Sequence, residues 1–382
     1  MNTEFDEIRP YHDEELPQVF EELIADPAFR QVTAVVMPGV PFEALAQKMR
    51  ACKTKLEFQK AFCYSLLKRL AQDAADGLTL DHTALKDKQA AYTYISNHRD
   101  IILDSGFLSI LLVDQGMDTV EIAIGDNLLI YPWIKKLVRI NKSFIVQRGL
   151  PMRQMLESSA RMSRYMHYTI AVKKQSIWIA QREGRAKDSD DRTQESVLKM
   201  LAIGGEGHIL DRLMEMNIAP LAISYEYDPC DYLKAQEFQQ KRDNPAFKKS
   251  QADDLLNMQT GLFGFKGRVH FQAAACINDE LSAMDRSLPK QELFSRVAAL
   301  IDRRIHSNYR MYPANYVAYD LLEGGETFAS HYTAEDKQRF TAYLEQQLSR
   351  ITLPGKDVPF LRAKLLQMYA NPLKNHLTAL NS

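Results

Sequence analysis

Between residues 86 and 280 the chain alternates short β-prone runs with stretches of helical periodicity, and this alternation narrows the fold more than any other feature. The runs are 92–96, 119–124, 143–146, 176–180, 220–225 and 267–271. They are rich in Ile, Val, Phe and Tyr, which suit a pleated surface. Most are followed by Gly, Asn, Asp or Arg turns, and helical patterns such as 151–172 lie between them. Strands separated by helices predict an α/β fold with a central, largely parallel or mixed sheet and helices on its faces.

The flanks read differently. Residues 1–85 look helical, with one long periodic stretch over 42–73 (Leu45, Met49, Cys52, Leu56, Cys63, Leu66, Leu70). Gln59 and Lys60 interrupt its stripe, which predicts a kink or two shorter helices. Residues 281–382 are helical again, with periodic stretches at 291–305, 334–351 and 358–369. The expected organisation is a helical N-terminal region (1–85), an α/β domain (86–280) and a helical C-terminal extension (281–382).

Composition excludes several classes. The 382 residues are 46% hydrophobic and 25% charged, and a net charge of −1 gives no overall pull toward nucleic acid. The four cysteines form no CxxC pair, so they read as buried free thiols in a reducing compartment and no metal site is expected. The N-terminus is acidic and lacks the apolar core of a signal peptide. No run reaches the roughly 18–20 apolar residues that span a bilayer. The expected location is cytoplasmic, or peripheral on the inner membrane.

The polar residues at strand ends carry the chemistry. Asn97, His98, Arg99 and Asp100 follow the first run, with Asp104 just inside the next helix. Arg148 follows the third run, and Glu183, Gly184 and Arg185 follow the fourth. In an open α/β sheet the carboxyl ends of parallel strands line one crevice, so these groups are expected to converge. A His beside a carboxylate suits general-base activation of a hydroxyl. Arginines gathered there suit a phosphate, because the guanidinium offers paired donors in fixed geometry. No Ser or Cys sits in a nucleophile-elbow setting, so the inferred chemistry is direct acyl transfer to a hydroxyl of a phosphate-bearing acceptor.

These blocks resemble the glycerolipid acyltransferases, which acylate glycerol 3-phosphate or lysophosphatidic acid. Asn97-His98-Arg99-Asp100-Ile-Ile-Leu-Asp104 is similar to the family's His-x4-Asp block. Gly125-Asp-Asn127-Leu128 followed by Phe144-Ile-Val-Gln-Arg148 is similar to the second, and Glu183-Gly184-Arg185 to the third. Pro220 and the Gly267-Arg-Val-His-Phe strand complete the series over about 86–275. The pattern departs in places: five residues, not four, separate His98 from Asp104, Asp100 stands where Ser is usual, and Gln147 precedes Arg148.

The resemblance implies the following. His98 is the base, deprotonating the acceptor hydroxyl as it attacks an acyl thioester. Asp104 orients it, with Asp100 the alternative partner if it is not simply the helix cap. Arg148 and Arg185, with Arg99 and Lys187, hold the acceptor phosphate, while Glu183 and Gly184 line the site. No cofactor is implied; acyl-CoA or acyl carrier protein is the co-substrate, and a glycerol phosphate or lysophospholipid the acceptor. Two alternatives stand beside this: acylation of another lipid such as an acylated amino acid, and an inactive lipid- or acyl-carrier-binding protein. The apolar and basic segment 131–142 (Tyr131, Trp133, Lys135, Lys136, Arg139, Lys142) reads either as a core helix with a solvated basic side or as a membrane-surface patch.

Overall fold

The computed structural model describes residues 3–129, 131–147 and 150–381. Seven strands form one sheet in the order β1-β7-β6-β2-β5-β3-β4. They are β1 (Gly77–Asp81), β2 (Thr93–Ser96), β3 (Glu121–Gly125), β4 (Ser143–Val146), β5 (Ile177–Ala180), β6 (Ile218–Tyr225) and β7 (Arg268–Ala273). All pairings are parallel except β6 with β7. The carboxyl ends of β2 to β6 therefore share one edge, and the amino ends of β1 and β7 meet them there. The chain steps outward from β2 to β3 and β4, returns through β5, and crosses to the other side of β2 at β6. That reversal puts the end of β2 at the switch point, where ligand crevices form in such sheets.

Strand alternation separates two cores. Ile95, Ile177, Ile179 and Ile218 face helices Met152–Ala171, Glu195–Ile203 and Lys290–Ser307. Tyr94, Trp178, Ala219 and Leu221 face helices Ser65–Ala74 and Leu103–Asp114. Helix Lys290–Ser307 thus belongs to a layer of the sheet, although it lies in the stretch read as an extension. The N-terminal helices and the helices after Tyr312 each close over a cluster of their own.

Two local expectations change. The stretch read as wholly helical before residue 86 contains β1, an edge strand that alternates only Leu78 and Leu80 against polar neighbours. The 42–73 stretch is broken twice. Helix Phe42–Ala51 stops at Cys52, and residues Gln59–Tyr64 form a π-helical turn between Lys55–Phe58 and Ser65–Ala74. The interruption at Gln59 and Lys60 has a physical use: buried Gln59 donates to Asn141 O (3.3 Å) and accepts from Thr119 Oγ1 (2.8 Å). A widened turn at such a place is common where a helix accommodates a polar contact.

Segment 131–142 is built as a core helix, Pro132–Ile140. Trp133, Leu137 and Ile140 pack among the N-terminal helices. Arg139 donates to Arg9 O and Asp6 O (2.8 and 2.7 Å). Lys136 pairs with Glu22 (2.8 Å) and Lys142 with Asp118 (2.7 Å). Much of its apolar side therefore packs against the N-terminal helices, and two of its four basic groups are paired with carboxylates.

Candidate active site

The turn after β2 is held from both sides. Asn97 Nδ2 donates to Ile223 O and its Oδ1 accepts from Ile223 N, both at 2.8 Å, so its side chain extends the β2–β6 ladder by one rung. Asp104, in the first turn of helix Leu103–Asp114, holds the other side. Its Oδ2 accepts from Arg99 N (2.6 Å) and Asp100 N (3.1 Å) and lies 2.8 Å from His98 Nδ1. The helix amino end adds a favourable field for that carboxylate. An acceptor at Nδ1 places the ring proton there and leaves the Nε2 lone pair for a substrate. The His98 side chain is 13% exposed and that of Asp104 is 0% exposed, so the ring is reachable and its partner is shielded.

Trp178, on neighbouring β5, packs edge-on against the imidazole (5.5 Å between ring centres, 65° between planes). Its Nε1 donates to Ser96 Oγ (3.0 Å), which fixes the indole and limits the ring's rotation. Asp100 takes a different part. Its Oδ1 accepts from Ile102 N (2.9 Å) and Leu103 N (2.8 Å), closing the turn ahead of the helix. The helix starts at Leu103, two residues later than the sequence suggests, because the turn is spent on Asp100 and Asp104. Burial, and then the charge of Asp104, push the Asp100 carboxyl above the usual range.

The arginines divide. Arg99, expected to hold substrate, is committed elsewhere: its guanidinium forms a fork with Asp191 (Nη2 to Oδ2 2.7 Å, Nη1 to Oδ1 3.3 Å). Tyr309 donates its hydroxyl to the same carboxylate (2.7 Å). Burial works against the Arg99 charge, but Asp191 more than offsets it and raises its affinity for the proton. The pair ties the His98 turn to the loop after β5, and Asp191 is buried although its loop is rich in charged residues.

Arg185 keeps a donor in hand. Its Nη2 donates to Asn257 Oδ1 (3.3 Å), while Nη1 is buried with no hydrogen-bond partner among the described residues. Burial lowers its proton affinity, and Cys230, Asp228 and Asp100 outweigh that. Gly184, at φ +67°, reverses the backbone just before it and is free of close neighbours. Glu183 is exposed, and its backbone N–H donates to Gln194 Oε1 (2.8 Å). Lys187 is paired with Glu237. Arg148 lies outside the described residues.

Some neighbours carried no sequence signal. Gln181, at the end of β5, has both amide atoms buried without a partner among the described residues, the usual mark of a group awaiting a ligand or water. Helix Gln251–Phe263 covers the site, with Asn257 on Arg185 and Gly261 against Asp100 Oδ2. A cleft of about 370 Å³ opens beside the ends of β3 and β4, lined by Glu7, Asp126, Leu129, Lys135, Ile145 and Gln147. At about 4.8 Å per strand it lies roughly 10–14 Å from β2. Among the described residues no His, Cys, Asp and Glu group could hold a metal, and no helix is long and apolar enough to cross a membrane.

The site defines an α/β protein with a histidine–carboxylate pair at the switch point of its sheet. No family model and no curated protein matches the chain. Among solved structures it is similar to the crystal structure of the 1-acyl-sn-glycerophosphate (LPA) acyltransferase PlsC from Thermotoga maritima. The likeness has 11% identity and a TM-score of 0.36, over 77% of this chain and 96% of that one.

Proposed function

We propose that the chain is an acyltransferase that moves an acyl group from a thioester to a hydroxyl of a phosphate-bearing acceptor such as glycerol 3-phosphate or lysophosphatidic acid. The observation that carries this reading is the His98–Asp104 pair, with Nδ1 engaged and Nε2 open at the sheet's switch point. Nε2 takes the hydroxyl proton as the acceptor oxygen attacks the thioester carbonyl. The tetrahedral intermediate collapses, the C–S bond breaks, and the thiolate leaves with the proton returned by His98. Asp104 stabilises the imidazolium in between. Arg185 meets the acceptor phosphate with its unpartnered Nη1. Acyl-CoA or acyl carrier protein supplies the acyl group, and no cofactor takes part.

The test is release of free thiol from acyl-CoA or acyl carrier protein by purified protein, with a panel of acceptors. Glycerol 3-phosphate, lysophosphatidic acid and an acylated amino acid separate a phosphate acceptor from a carboxylate one. Release should depend on acceptor and vanish in a folded His98→Ala variant. Thiol release that survives His98→Ala sinks the mechanism.

A further inference from the structure

Helix Gln251–Phe263, which covers the candidate site, packs one apolar residue, Leu262, against the sheet core and leaves most of the others exposed. A surface helix of a soluble protein ordinarily turns its apolar stripe inward and its polar face to water. Here the buried residues are Asn257 and Gly261. The outward stripe is Ala252, Leu255, Leu256, Gln259 and Phe263. Leu255, Leu256 and Phe263 are 47%, 45% and 69% exposed, and Phe265, just past the helix, is 48% exposed. The helix is nonetheless firmly built. Ser250 and Asp253 form a reciprocal cap at its start, and Lys266 donates to Gly264 O (2.6 Å) at its end. The exposed apolar face is therefore a property of an anchored element, not of a loose one.

We infer that the outer face of helix Gln251–Phe263 is a lipid-docking surface that lies flat on a bilayer or micelle and brings the His98 site to its amphiphilic substrates. Three observations select a lipid surface over a protein. The apolar face offers on the order of a few hundred Å², well short of the roughly 800 Å² per partner of a stable protein interface. At about 20 Å the helix is too short to cross a bilayer but long enough to lie in its boundary. Its inner face touches Asp100 and Arg185, so whatever the outer face rests on is next to the site. Charge adds little. Lys241, Arg242, Lys248 and Lys249 stand against Asp243, Asp253 and Asp254, so docking rests on apolar burial and not on anionic headgroups.

The inference extends the acyl-transfer reading, and its test does not need turnover. The full chain is floated with phosphatidylcholine vesicles and with vesicles containing about one third phosphatidylglycerol, without substrates. Binding to both within about twofold is expected, and Leu256→Ser/Phe263→Ser should lower the bound fraction at least about tenfold. The changed side chains are exposed, so the variant should melt with the wild type, and its thiol release from a short-chain, soluble acyl donor should be unchanged. Flotation only with anionic vesicles, a variant that floats like the wild type, or a dimer in sedimentation that the variant loses would each overturn the docking face. Flotation without any thiol release would instead count against the acyl-transfer reading and leave the docking face standing.

Discussion

Asp104 Oδ2 lies 2.8 Å from His98 Nδ1 and also accepts the backbone N–H groups of Arg99 and Asp100. One oxygen thus sets both the imidazole tautomer and the turn that carries it. Asp100 contributes only to the turn, through Ile102 and Leu103. The two aspartates, close in sequence, have separate work.

That separation makes the first prediction. Asp104→Asn keeps the shape but offers an amide where the ring needs an acceptor, and should lower kcat by about 10³-fold or more. Asp100→Asn keeps an oxygen for the two amides and should lower kcat less than about tenfold. Steady-state thiol release from both purified variants is the check. Equal losses would mean that the two carboxylates act as one unit.

Gly261 gives a second. Replacing a helical glycine by alanine ordinarily stabilises by about 0.5–1 kcal/mol. Here the new Cβ would collide with Oδ2 of Asp100, a buried carboxylate whose other oxygen, Oδ1, is fixed by two amides. Gly261→Ala should therefore destabilise, by about 1–3 kcal/mol. Chemical denaturation measures the sign, and a stabilised variant would show that the covering helix moves away from Asp100 freely.

The Arg99–Asp191 fork is a third case. Both side chains are almost wholly buried, so removing one leaves an uncompensated charge in the interior. Arg99→Ala should cost about 3–5 kcal/mol. Acceptor KM is the discriminating readout. In the fraction that folds it should be near normal, since this guanidinium holds a loop and not the substrate. A large KM rise with unchanged melting would return Arg99 to the binding set.

How much of this was legible depends on sequence distance. His98, Asp100 and Asp104 fall within one turn and its helix, so local spacing alone brings them together. The strand ends were readable too, because β2 to β6 are short apolar runs with clear stops. Asn257 and Gly261 were not, since their helix lies far along the chain from His98. Leu255, Leu256 and Phe263 of that helix are exposed, so the usual link between periodicity and burial is weak there. Asp191 was hidden in a loop of charges, and its burial rests on Arg99, Tyr309 and His306, all distant in sequence. The strand β1, with just Leu78 and Leu80, carries too little pattern to stand out from the helix before it.

Acid should loosen the packing behind the Arg99 fork. His306 is buried, its Nε2 donates to Asp191 O (2.9 Å), and burial pushes its pKa down from 6.5 to about 4. The folded state thus binds the proton less readily than the unfolded chain. Between about pH 6.5 and 4 the unfolded state holds more protons, so stability falls as pH falls. The loss amounts to about 3 kcal/mol at 1.36 kcal/mol per unit. Asp302, raised to about 6 by burial, contributes the opposite slope within the same helix. The comparison is therefore wild type against His306→Gln, which keeps a donor for Asp191 O. Their difference in unfolding free energy should widen in favour of the variant between pH 7 and pH 5, and a constant difference would show that His306 titrates normally.

Arg185 decides what kind of acceptor the site holds. Its Nη2 is on Asn257, and Nη1 is buried without a partner. A phosphate bound there would gain a charge-assisted hydrogen bond worth about 1.5–3 kcal/mol. Lysine cannot reproduce the fork and would give up the bond to Asn257 to reach the anion. Arg185→Lys should thus raise KM for a phosphate-bearing acceptor by roughly 10- to 100-fold. The kcat should stay within a few-fold of wild type, because His98 and Asp104 make no contact with this guanidinium. The KM for the acyl donor should not move. A variant with normal acceptor KM and a depressed kcat would place Arg185 on the reacting carbonyl instead, where its charge would stabilise the oxyanion.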